Sequence, residues 1–134
     1  MTLLNEIREK LGELKKSEAV PMEDVAYGLL PQGSTKKWNY FVFNRVNVKT
    51  AGKAKGDFNE YYAVHIVHED FIPEGYIYKV IQKVLEIKGI KLAINDEISF
   101  NYARKGNTDV VVEIATIVFT KAIFRGDVIG KNRN

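Results

Sequence analysis

Apolar positions along this chain switch between helical and alternating spacing, and the switches mark its elements. Leu4, Ile7, Leu11 and Leu14 recur at helical spacing behind Thr2, a capping residue, with Glu6, Arg8, Glu9, Glu13 and Lys15 between them. An amphipathic helix is predicted to about Lys16. From Trp38 to Val48 the pattern alternates, with Tyr40, Val42, Val46 and Val48 on one side and Phe41 and Phe43 on the other, so this run reads as a strand. Tyr61 to Phe71 alternates again, with Tyr62, Val64 and Ile66 on one face. Pro73 and Glu74 then suit a first helical turn, and Ile77, Val80, Ile81, Val84 and Leu85 form a stripe that runs to Lys88 and the stop signal Gly89. The longest apolar stretch, Asp109 to Phe124, is rich in β-branched residues and reads as a long strand. Lys105-Gly106-Asn107 precedes it as a turn, and Ile98, Phe100 and Tyr102 alternate on the far side, which makes a hairpin.

The segments between these elements carry different signals. Ser17 to Lys37 holds Pro21, Gly28, Pro31 and Gly33 and is expected to be an ordered connector without regular structure. Ile90 to Ile94 reads as a short extended piece. The stretch Lys49 to Asp57 has Gly52, Gly56, Lys53 and Lys55 and no large apolar side chain, so a mobile loop is expected there. The order α-β-β-α-β-β predicts an α+β domain with a four-stranded, largely antiparallel sheet and two helices packed on it. Residues 1–124 form that single domain in this reading, and 125–134 form a flexible basic tail.

Composition narrows the function classes. A chain of 134 residues can bury a real core without staples, and with no cysteine there is no disulfide, no Cys-ligated zinc and no thiol nucleophile. No apolar run reaches bilayer length and the N-terminus is charged, so a soluble, unsecreted protein without membrane partners is expected. The formal charge is only +3, from 20 basic and 17 acidic residues, which matters for nucleic acid only if the basic residues cluster.

Candidate chemistry is sparse. His65 and His68 form an HxxH pair, but residues three apart on a strand point to opposite faces, and no metal site is expected. Gly126 to Asn132 resembles a phosphate loop only superficially, with three residues between its glycines where four are needed and no Ser or Thr after Lys131. The Arg125-Gly126-Asp127 triplet has no secretion signal to support an adhesion role. Ser17, Ser34 and Ser99 lack a nucleophile-elbow setting. The acid pairs Glu69-Asp70 and Asp96-Glu97 sit at element ends, where solvated carboxylates are commonplace. The chain is therefore read as a non-enzyme with no cofactor and no catalytic residues. Lys36, Lys37, Trp38, Tyr40, Lys49, Lys53 and Lys55 mix cations with aromatics as a stacking platform does, so the alternative function is single-stranded nucleic-acid binding through the Lys36 to Lys55 region.

In layout the chain resembles the tail-terminator, or tail-completion, proteins of long-tailed bacteriophages, a group close to head-tail joining and minor tail proteins. The likeness rests on an N-terminal helix, a strand, a long loop, the strand YYAVHIVHEDF, the helix IPEGYIYKVIQKVLEIKG and the hairpin ISFNYARKGNTDVVVEIATIVFTKAIF. It implies a structural virion protein that forms a ring, usually of six subunits, at the head-proximal end of the tail tube. Such a ring stops tube polymerisation and joins the tail to the head connector. The implied partners are further copies of the chain, the tail-tube protein and the connector or stopper protein, and the implied location is the tail or neck of a virion assembled in the bacterial cytoplasm. Nucleic acid is not an expected partner in this reading. The Gly- and Lys-rich loop, with Lys49, Lys53, Lys55 and Asp57, would be a partner-docking loop.

A self-association surface follows from coverage. A sheet has two faces, the second helix can cover one, and the first helix is expected to cover part of the other. Phe41, Phe43, Ile117 and Phe119 are then candidates for an apolar face left open, through which copies would associate by a heterologous contact. The rival is a monomer in which the connector from Val20 to Leu30 folds over that face.

Overall fold

A computed structural model of the chain describes residues 2–17, 20–29, 36–52, 56–93 and 97–124. Helix α1 spans Leu3–Lys15, and the hydroxyl of Thr2 accepts a hydrogen bond from Asn5 N at 3.3 Å, so the cap read from the sequence is in place. Strand β1 (Asp24–Tyr27) follows, then β2 (Tyr40–Thr50), β3 (Phe58–Glu69), helix α2 (Tyr76–Val84), β4 (Ile90–Leu92), β5 (Ser99–Arg104) and β6 (Val111–Ile123). The predicted helix from Pro73 begins later than expected. Gly75 is left-handed at φ 83°, which places residues 73–75 in a turn and lets the helix start at Tyr76. Beyond Val84 the backbone tightens, with Glu86 N bonding to Lys83 O and Ile87 N to Val84 O, and ends at Gly89 with φ 85°.

The sheet corrects the predicted fold. It is six-stranded and mixed, with order β1-β2-β3-β6-β4 and β5 also on β6, where four antiparallel strands were expected; the class remains α+β. Two short strands account for the difference. β1 lies inside the segment read as a connector and pairs parallel to β2, Asp24 opposite Tyr40 through Tyr27 opposite Phe43. Its four residues sit between Pro21 and Gly28, too few to show a period, and only the tertiary neighbour β2 makes them a strand. β4 pairs with β6 at Phe119 to Lys121, and β5 pairs with the same edge of β6 at Val111 to Thr116. These two are therefore segments of one edge, offset in register.

Both helices lie on the same face of the sheet. Ile7 and Leu11 from α1 and Tyr76, Val80, Ile81 and Val84 from α2 join Phe41, Phe43, Tyr62, Val64, Ile66, Ala115, Ile117 and Phe119 in one core. The register explains the grouping. Phe41 opposes Ile66, which opposes Ala115, and Phe43 opposes Val64, which opposes Ile117, so these side chains share one side of the pleat. Burial of each large apolar side chain stabilises by roughly 1.5–3 kcal/mol, and α1 and α2 are held together over it by Lys83 with Glu13 at 2.8 Å and Lys10 with Glu86 at 3.2 Å. The opposite face carries half-buried Tyr40, Val42, His65, Ile114, Thr116 and Val118 together with buried Ala63, Val67, Val112 and Thr120, and no described helix packs on it. The first helix therefore does not cover the second face as expected; it joins α2 on the first.

Candidate functional site: an exposed edge strand and an aromatic groove

The residues expected to form a self-association face are in the core. Phe41 and Phe119 are 0% exposed, as is Ile117, and Phe43 is 1% exposed, because α1 and α2 both lie over them. They offer no surface in this fold, and this corrects the earlier expectation. The expected docking loop is also divided. Lys49 and Thr50 extend β2, opposite Asn59 and Phe58, and Ala51 N donates to the Asp57 carbonyl at 3.0 Å. Lys49 sits over the ring of Tyr61 with Nζ 4.8 Å from its centroid. Lys53 and Lys55 lie outside the described residues, as do the 125–134 tail and its two motifs.

The basic-aromatic platform separates in space. Lys36 and Lys37 precede β2 and Lys49 sits at its far end, and at a strand rise of ~3.3 Å per residue Tyr40 and Lys49 are about 30 Å apart. Lys36 instead offers its carbonyl to Lys105 Nζ at 2.8 Å, and Lys105 ion-pairs with Glu69. That pairing holds the Glu69 carboxyl below the usual carboxylate range, its hydrogen bond to Lys105 being the largest cause. Trp38 is half-buried.

The histidines stand on opposite faces of β3. His68 opposes Glu113 on the helix-covered side, and its Nδ1 meets the Glu69 carbonyl at 2.8 Å. His65 is on the other side, in a row that crosses three strands: Nε2 lies 2.7 Å from Asn44 Oδ1 and Nδ1 lies 2.9 Å from Thr116 Oγ1. Burial lowers the His65 pKa. The row is satisfied internally, with Asn44 Nδ2 donating to the Arg45 carbonyl at 3.0 Å. Among the described residues no group of three or more His, Asp and Glu could hold a metal ion.

What remains open is the edge opposite β1. All six residues of β5 are exposed, and among the described residues it pairs only with β6. Beside it a groove of about 510 Å3 runs between the lead-in to α2 and the sheet, lined by Phe71, Ile77, Tyr78, Ile98 and Phe100 with Glu74 and Glu113. Phe71 is 64% exposed, Tyr78 68%, Phe100 45% and Tyr102 64%, so four aromatic side chains crowd one end of the molecule in water. Exposed apolar patches of this kind mark interaction sites. The groove is fixed by Glu113, whose Oε1 accepts from Ile72 N and whose Oε2 accepts from the Tyr102 hydroxyl, both at 2.8 Å.

No family model and no curated protein matches the chain. One solved structure whose name describes no function is similar over 91% of this chain and 94% of its own, at 11% identity and a TM-score of 0.45. A likeness that loose does not equate the two folds. No helix among the described residues is long and apolar enough to cross a membrane.

Reading the sequence missed this groove, although part of it was visible. Tyr78 falls between the stripe positions Ile77 and Val80, so a helix buried along that stripe has to expose it. Phe71 follows Asp70, which is left-handed at φ 66°, and that local turn carries Phe71 out of the strand into which its hydrophobicity placed it.

Proposed function

We propose that this chain is a structural protein of phage or prophage morphogenesis. In this reading it assembles as a ring at the head-proximal end of the tail tube, ends tube polymerisation and joins the tail to the head connector. One observation carries the proposal: among the described residues both helices pack on one face of the sheet, and an edge strand, β5, is exposed along its whole length. Exposed edges with apolar neighbours are an aggregation liability unless another chain covers them. Together with the resemblance in layout, this supports a protein that works by docking to copies of itself and to neighbours.

The test is assembly. Sedimentation over a wide concentration range, with and without tail-tube protein, is expected to give a closed oligomer, and negative-stain images are expected to show rings that cap tubes and limit their length. A strict monomer under every condition, with tubes of unaltered length, would sink the proposal.

A further inference from the structure

The sheet has two different free edges, and they complement one another. On one side is β5 with its aromatic groove, whose charged lining residues are Glu74 and Glu113, with no Lys or Arg among the lining residues. On the other side, β1 pairs with β2 only from Tyr40 to Phe43. The distal half of β2, residues 45–50, is exposed throughout and has no described strand on its outer side. Its sequence is RVNVKT. Val46 is 47% exposed and Val48 60%, with basic Arg45 and Lys49 flanking them. Neither cation makes an ion pair with a described residue. One edge thus offers an apolar groove bearing carboxylates, and the other offers, on the same helix-covered side, exposed Val48 and the cation Arg45.

The strand directions fit as well. β2 to β3, β3 to β6 and β6 to β5 are each antiparallel, so β5 runs opposite to β2. A neighbour that continues the sheet with its strand directions kept therefore brings its β2 antiparallel to β5, the geometry already used across most of the sheet.

We propose that the β5 edge and its groove receive residues 45–50 of β2 from a second copy of this chain, Val48 covering the aromatic end and Arg45, on the same helix-covered side by register, facing Glu74 and Glu113. The contact is heterologous, one edge meeting a different edge, so a joined pair keeps one free donor edge and one free acceptor edge for the next copies. This rests on the self-assembly reading above and specifies the surfaces that it uses. β1 is the weaker candidate, since its four residues include acidic Asp24 and no exposed cation.

The absence of native cysteine makes the test direct. Asn101 on β5 and Asn47 on β2 are both exposed and, by register, lie on the helix-free face, opposite Ile114 and Tyr61 respectively. Chains carrying Asn101→Cys and chains carrying Asn47→Cys, each with parental melting temperature, are mixed and treated with a short thiol cross-linker. The expected product is the mixed Asn101–Asn47 dimer, and Arg45→Glu is expected to weaken association by about tenfold. Cross-linking of Asn101→Cys to itself would mean a twofold contact and overturn the proposal. Cross-linking to Ala26→Cys in place of Asn47→Cys would overturn it in favour of β1. Oligomers that persist with none of these links would overturn it and leave the self-assembly reading intact, whereas no association at any concentration would remove both.

Discussion

His65 Nε2 stands 2.7 Å from Asn44 Oδ1 in the middle of the helix-free face, and this short contact requires the proton on Nε2. With Nε2–H donating to Asn44, Nδ1 of the neutral ring accepts from the Thr116 hydroxyl, which would have to turn and accept if Nδ1 gained a proton. Burial depresses the pKa in the folded state, so the unfolded chain takes up a proton first as pH falls. His65 therefore contributes no pH dependence above its unfolded value of about 6.5, and stability falls below it until the folded form also protonates. Thermal melting from pH 7.5 to 5 is expected to show this loss, and His65→Gln is expected to flatten it. An equal slope in the variant would assign the effect to other groups.

Tyr76 presents the opposite case, a polar atom without a partner. Its ring stacks on Phe41 at 6.3 Å between centroids, and its hydroxyl is buried and makes no hydrogen bond among the described residues. Burial pushes its pKa up to about 12. Because an unsatisfied hydroxyl costs ~1–3 kcal/mol of desolvation, Tyr76→Phe is expected to keep or raise stability by up to about 1 kcal/mol. A drop of more than that on denaturant titration would reveal a partner for the hydroxyl.

The stripe on α2 separates two substitutions that its periodicity alone would treat alike. Ile81 is 8% exposed and joins the core, whereas Leu85 is 39% exposed, beyond the last helical residue. Ile81→Asp places a carboxylate in that core at several kcal/mol, comparable with total domain stability, and is expected to abolish folding. Leu85→Asp is expected to melt within a few degrees of the parent. Comparable loss in both would mean that Leu85 is more deeply packed than the helix end indicates.

These residues also show what was legible beforehand. Period and capping located both helices and the long strands, since Thr2, the stripe on α2 and the alternation in β2, β3 and β6 are local signals. Which face each helix would take was not local: α1 could sit on either side, and its place is set by Ile7 and Leu11 packing into the same core as the α2 stripe. That choice put Phe41, Phe43, Ile117 and Phe119 in the core and left the other face without a described helix. The bulge between Arg45 and Asn47 was equally hidden, and it breaks the alternation that grouped Val46 and Val48 with Tyr40 and Val42.

Lys49 marks where a compositional argument was overridden. The stretch from Lys49 lacks apolar side chains and was expected to be mobile from its first residue, yet Lys49 and Thr50 pair with Asn59 and Phe58, and Lys49 stacks on Tyr61. Amide exchange in the free protein is expected to show protection at these paired strand ends, above that of exposed turn amides such as Asn107. Exchange at Lys49 and Thr50 as fast as at Asn107 would mean that β2 ends nearer Val48.

Glu113 connects the core to the exposed edge and permits a final prediction. Its carboxylate accepts from Ile72 N, on the approach to α2, and from the Tyr102 hydroxyl on β5, so one side chain on β6 aligns both walls of the groove. The hydrogen bond to Glu113 raises the Tyr102 pKa, as expected for a phenol donating to an anion. Glu113→Ala is expected to cost about 1–3 kcal/mol, much of it from the stranded Ile72 amide, and to loosen the groove. Tyr102→Phe removes one bond at an exposed residue and is expected to cost less than Glu113→Ala. If the groove is a docking surface, Glu113→Ala will weaken association by more than its stability loss alone explains, because a pre-set wall lowers the ordering cost of binding. Melting and sedimentation on the same samples make the comparison. Full association by a destabilised Glu113→Ala protein would place the contact elsewhere.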